Sequence, residues 1–114
     1  MLPLIMLEIR YYVAAGGGQP FAEWFADLES VARAKVTRAI ARLEQGNLSN
    51  VKPVGEGVLE YRIDFGPGYR VYFARDGETL IILLTGGTKK RQQRDIDAAR
   101  TYWNDYKQRK RGRH

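Results

Sequence analysis

A chain of 114 residues with 44% hydrophobic and 28% charged side chains is sized and composed for a single folded domain (1–114), not for a disordered segment. It has no cysteine, which excludes disulfides, thiolate metal ligands and thiol nucleophiles and fits a cytoplasmic setting. The net charge of +6 is unevenly spread: residues 1–88 carry 9 Lys/Arg against 10 Asp/Glu, whereas residues 89–114 carry 10 against 3. A localised basic block suits a polyanionic partner, because neutralising phosphates supplies much of the affinity in such complexes. A solvated basic tail without a ligand is the plainer alternative.

The apolar start, Met1-Leu-Pro-Leu-Ile-Met-Leu, is too short to span a bilayer and lacks the pattern of a secretory leader, so no membrane partner is expected. Leu4 to Val13 reads as a strand ended by Gly16-Gly17-Gly18. Pro20 opens a helix in which Phe21, Trp24, Phe25 and Leu28 form one apolar face. Ser30 is placed to cap a second helix with a stripe of Ala32, Val36, Ala39, Ile40 and Leu43, stopped at Gly46-Asn47. A loop rich in Gly, Pro and Asn comes next. Strands are then expected over Val58–Phe65, Tyr69–Ala74 and Leu80–Leu84, the last apolar throughout as a central strand covered on both faces would be. A helix from about Gln93 carries Ile96, Ala99, Trp103 and Tyr106 on one face. The order is β-α-α-β-β-β-α: an α+β fold with an antiparallel sheet, two N-terminal helices packed on one sheet face, and a C-terminal helix.

A three-residue Gly66-Pro67-Gly68 loop would place Phe65 opposite Tyr69, Ile63 opposite Val71 and Tyr61 opposite Phe73 on the core face. On the other face Asp64 then pairs with Arg70 and Arg62 with Tyr72, with Glu60 one step further. These residues would share an exposed patch, which solvated cross-strand ion pairs would explain equally well. Gly86-Gly87 is read as a sharp turn that brings Lys89, Lys90 and Arg91 to the edge of that patch, forming a concave cationic surface.

The one histidine is His114, which excludes a two-histidine acid–base mechanism, and no Asp/Glu/His spacing suggests a metal site; neither metal nor cofactor is expected. RNA cleavage needs neither. The 2′-hydroxyl attacks the adjacent phosphorus when the strand is held in line, and cations stabilise the charge that builds on the phosphoryl oxygens. Arg62, Arg70, Lys89 and Lys90 are the candidates for that work, with Tyr72, Arg91 and Arg94 as further RNA contacts. The tail residues Lys107, Arg109, Lys110 and Arg111 would add further RNA contacts. Glu60 is one candidate base, and a lysine or tyrosine of lowered pKa is another; residue pattern leaves that choice open.

The segments Pro20-Phe21-x-x-Trp24, Lys52-x-Val54-Gly55-Glu56-Gly57-Val58-x-Glu60-x-Arg62-Ile63, Gly66-Pro67-Gly68-Tyr69-Arg70-Val71-Tyr72-Phe73 and Gly86-Gly87-x-Lys89-x-x-Gln92 resemble a known family. It is the addiction-module killer proteins, HigB-like members of the RelE/ParE toxin superfamily, and the resemblance runs over roughly residues 6–100. It implies a RelE-like, microbial RNase-like sheet and a toxin of a type II toxin–antitoxin system that cleaves mRNA on the ribosome. It also implies a cognate helix-turn-helix antitoxin from the same operon. Arg70 matches the arginine such toxins carry after Gly-Tyr, and Lys89, Lys90 or Arg91 matches their basic residue after the last strand. The chain departs from the pattern at Gln92-Gln93-Arg94-Asp95, where these toxins carry a tyrosine or histidine. The ParE branch, with the same fold, inhibits gyrase instead, and a non-catalytic nucleic-acid or antitoxin-binding module is the third expectation.

Overall fold

The computed structural model describes residues 6–112. The elements are β1 (Glu8–Tyr11), α1 (Pro20–Ala26), α2 (Ser30–Glu44), β2 (Val51–Pro53), β3 (Leu59–Ile63), β4 (Tyr69–Asp76), β5 (Leu80–Thr88) and α3 (Gln92–Arg111), with a 3-10 turn at Lys89–Arg91 before α3. The five strands form one sheet in the order β1-β5-β4-β3-β2. The α+β class and the helix placement are as expected, but the sheet is mixed: β1 runs parallel to β5, and the other pairs are antiparallel. The part of the expected first strand before Met6 lies outside the described residues. The short β2 falls within the stretch expected to be loop, and three residues bounded by a proline carry too little alternation to announce a strand.

Pro20 occupies the first turn of α1, where a missing N–H costs nothing. The cap of α2 is Glu29, whose side chain accepts from the Ala32 N–H at 3.0 Å; Ser30, expected in that role, is the first helical residue. From α2, Val36, Ala39 and Leu43 are buried with Phe21, Tyr61, Val71 and Phe73 in one core on the first sheet face. A second core lies on the opposite face, where Ile96, Ala99 and Trp103 of α3 meet Tyr72, Ala74, Ile82 and Leu84. That face is therefore not open along its length, and β5 is covered on both sides as its unbroken apolar run predicts.

Two differences in the strands shape the site. The β3–β4 hairpin has a five-residue connection, so Tyr61 pairs with Val71, Arg62 with Arg70 and Ile63 with Tyr69. The shift from the expected register is two residues. Because side chains alternate with period two, every residue keeps its face and only its partner changes. Gly68, at φ +78°, accommodates a connection that a side chain would strain.

β5 runs on through Thr88, so Gly86-Gly87 is strand and not a turn. The two glycines are needed for close approach. A Cβ on Gly86 would lie 2.2 Å from Cε3 of Trp24, and one on Gly87 would lie 1.8 Å from Oδ2 of Asp95. A bulge where Tyr72 pairs with Thr85 and Phe73 with Leu83 adds one residue to β5. It reverses the facing of the strand beyond it, presenting Gly86 to α1 and Gly87 to α3.

Candidate functional site

The expected patch residues do come together, but around a buried centre. Glu60 on β3 has no exposed surface. Its carboxylate accepts from Arg62 Nε at 2.9 Å and from Gln92 Nε2 at 2.8 Å, and Arg70 Nε lies 3.9 Å away. Arg70 is 5% exposed and donates to the Gly68 carbonyl at 3.0 Å. Tyr72, opposite Glu60 on β4, is fully buried. The exposure expected for Glu60, Arg70 and Tyr72 is thus corrected. The start of α3 roofs this end of the sheet, which a reading of the hairpin alone cannot show. Asp64, expected opposite Arg70, lies beyond β3 and is exposed.

Burial alone would push the Glu60 carboxyl up, but the hydrogen bonds from Arg62 and Gln92 outweigh it and hold the group below the usual carboxylate range. Asp95 behaves in the opposite way. Burial raises its carboxyl, and the nearby charges of Arg91 and Arg94 offset this only in part. Burial and then the Glu60 charge also raise the Tyr72 phenol. Arg70 Nε, Tyr72 Oη and Asp95 Oδ2 are buried without a hydrogen-bond partner among the described residues. Unpartnered buried polar atoms are costly, and three of them cluster where β3, β4 and the first turn of α3 meet.

The 3-10 turn supplies the remaining charge. The Lys89 N–H donates to the Gly68 carbonyl at 2.8 Å, which sets the turn directly beside Arg70. Lys89, Lys90, Arg91 and Arg94 are all exposed. The basic turn therefore does reach the arginines, through strand pairing and not through a glycine bend. Sequence reasoning missed Gln92 and Asp95, which it passed over as a departure from the expected tyrosine or histidine. Their chemical type was visible; their direction, set by the first turn of α3, was not.

The basic tail lies elsewhere. Lys110 binds both carboxylate oxygens of Asp76 at 2.6 Å, and Arg109 pairs with Asp105 at 2.8 Å and lies over the Tyr12 ring. Lys107 lies over Trp103, and Arg111 is exposed. Asp76 is six residues along β4 from Arg70, about 20 Å at the usual strand rise. The tail therefore does not join the Arg62–Arg70 cluster. Among the described residues no three side chains of metal-ligating type come together, and no helix is long and apolar enough to cross a membrane.

A family model described as Phage derived protein Gp49-like (DUF891) matches residues 23–105, which include every group of the cluster. The chain belongs to this Gp49-like family. Its members are of the addiction-module toxin type, which gives the chain the coarse role of a toxin with an antitoxin as partner. An uncharacterized protein of Haemophilus influenzae is 43% identical over 81 residues, covering 70% of this chain and 82% of that protein.

Proposed function

We propose that this Gp49-like protein is an mRNA interferase: a metal-independent endoribonuclease of the HigB-like kind that acts in the cytoplasm on mRNA at the ribosome and is held in check by a helix-turn-helix antitoxin. The observation that carries the reading is the pairing of Arg62 directly across from Arg70, both turned to the single carboxylate of Glu60. Like charges directly opposite each other across a strand pair are unfavourable. One carboxylate shared by two guanidiniums, with Lys89, Lys90 and Arg91 alongside, leaves a surplus of positive charge in a half-dry site. A phosphodiester answers that surplus: its charge grows as the 2′-oxygen attacks phosphorus and the P–O5′ bond breaks, leaving a 2′,3′-cyclic phosphate and a 5′-hydroxyl that takes its proton from water.

In this reading Arg70 and Arg62 stabilise the phosphoryl oxygens, and Lys89 and Lys90 hold the phosphate from the rim. Glu60 is a positioning residue. It is sealed from solvent and held ionised, so it orients the two arginines and is poorly suited to take a proton. Asp95 suits the base better, because burial brings its carboxyl nearer to the range where protons are exchanged at neutral pH. Its Oδ2 packs against Gly87, the cross-strand partner of Arg70.

The deciding experiment is induction of the wild type and Arg70→Ala in bacteria, with mapping of transcript 5′ ends. Growth arrest with new ends inside translated codons, absent in the mutant, is the expected result. Arrest with intact transcripts would overturn the nuclease reading in favour of a protein target such as gyrase. No arrest at all would favour a binding module.

A further inference from the structure

A cavity of about 510 Å³ among the described residues is not at Glu60. It lies between α2 and the β2–β3 edge of the sheet, and its walls hold Lys35, Arg38, Arg42, Lys52 and Arg62 against the single carboxylate of Asp64. Of these, Arg62 also belongs to the Glu60 cluster, where it caps the carboxylate from the edge of the hairpin while its side chain stays 42% exposed. The groove therefore begins where the candidate cleavage site ends.

Lys35, Arg38 and Arg42 recur at spacings of three and four, which stacks like charges along one side of α2. Such rows weaken a helix unless something neutralises them. No carboxylate within the described residues does so: Lys35, Arg38, Arg42 and Lys52 are in none of the ion pairs, in contrast to Arg109 and Lys110 of the tail. The groove also carries an aromatic face. Phe65 is half-buried, stacks on Tyr69 with ring centroids 6.4 Å apart, and lies under the Lys35 ammonium at 4.8 Å. Cations that follow a backbone, interleaved with a ring on which a base stacks, form the general device for holding single-stranded nucleic acid.

We propose that this groove holds the single-stranded RNA flanking the scissile phosphate, which passes round the β3 edge at Arg62 and runs along α2. The inference rests on the nuclease reading for what happens at Arg70, but holding the strand requires no cleavage. A 2′-O-methyl strand lacks the attacking hydroxyl and separates the two. The probe is a fluorescein-labelled 2′-O-methyl oligouridine, its binding followed by anisotropy against salt for the full chain and for the Lys35→Gln/Arg38→Gln/Lys52→Gln variant. All three positions are exposed and two of the changes relieve the like-charge row, so the variant should unfold at or slightly above the wild-type temperature.

Loss of three phosphate contacts should flatten the slope of log K against log salt by about 2, at about 0.7 per contact on single strands. A further Phe65→Ala change should weaken binding about tenfold without altering that slope. An unchanged slope in the triple variant, or no binding by the wild type, would overturn the groove. So would a variant that keeps the oligouridine but releases poly-glutamate, which would assign the groove to an acidic protein segment. Wild type that binds through the groove yet leaves transcripts intact on induction would overturn the nuclease reading alone.

Discussion

At one end of β4, Lys110 sits on Asp76 and Arg109 on Asp105; at the other, Arg62 and Arg70 share Glu60 while Lys89, Lys90 and Arg91 stand beside them without a carboxylate partner in any ion pair. By composition alone the first region, with its run of basic residues at 107–111, is the better candidate for an anion-binding surface. Its charges are largely answered within the fold. Lys110 and the Tyr106 hydroxyl hold the Asp76 carboxyl below its usual range, and that end behaves as a set of closing contacts between α3 and the sheet. The Arg70 end has its cations scattered in sequence and gathers them from β3, β4, the 3-10 turn and, round the sheet edge, α2. Surplus charge after internal pairing, and not local density along the chain, marks the surface that has something left to bind.

That contrast can be broken most sharply at the two arginines. Arg70→Ala should lower cleavage about a hundredfold or more, the usual consequence of removing one preorganised stabiliser of a developing oxyanion. Its melting temperature should stay close to that of the wild type, since Glu60 keeps its bonds from Arg62 and Gln92. Next in size is Gly87→Ala, which places a methyl group where Asp95 now lies. It should cost about 1–3 kcal/mol, as overpacking of a tight contact does, read as a lower denaturant midpoint; an unchanged midpoint would show that the contact is loose.

One buried group from each end should report an opposite extreme of pH. Glu60 is held below its usual range in the fold, so its contribution is present above the unfolded value and is lost as pH falls through the folded one. Tyr12, buried and donating to Asp105 at 2.6 Å, is raised from 10.0 to about 12, chiefly by burial and then by that hydrogen bond. Its contribution is complete below pH 10 and is lost as pH rises toward about 12. Thermal melts across pH should show the alkaline decline flattened in Tyr12→Phe and the acid decline flattened in Glu60→Gln. The smallest effect is expected for Lys110→Ala. It should cost no more than about 1 kcal/mol, as exposed ion pairs do, and leave cleavage unaltered. A large loss of cleavage there would return the tail to the functional surface.

What the sequence determined by itself was whatever depends on period and on local stereochemistry. The helical stripes of α1, α2 and α3, the start at Pro20, the continuous apolar run of β5 and the face on which Arg62, Arg70, Tyr72 and Glu60 lie are all set by side-chain spacing. The faces survived even a two-residue error in register, because alternation repeats every two residues. Family resemblance extended that reading to Arg70 and the basic turn.

What only the tertiary structure decided was which groups meet. The bulge in β5 reverses the facing of Gly86 and Gly87 and turns an apparent bend into two points of close packing. The first turn of α3 lowers Gln92 onto Glu60 and Asp95 onto Gly87, burying a centre that the hairpin alone would leave exposed. The groove draws Lys35, Arg38 and Arg42 from residues 1–88, where 9 Lys/Arg stand against 10 Asp/Glu, and sets them beside Lys52 and Arg62. Charge counted along a chain averages over neighbours in sequence; binding depends on neighbours in space, and those are chosen by packing the two cores.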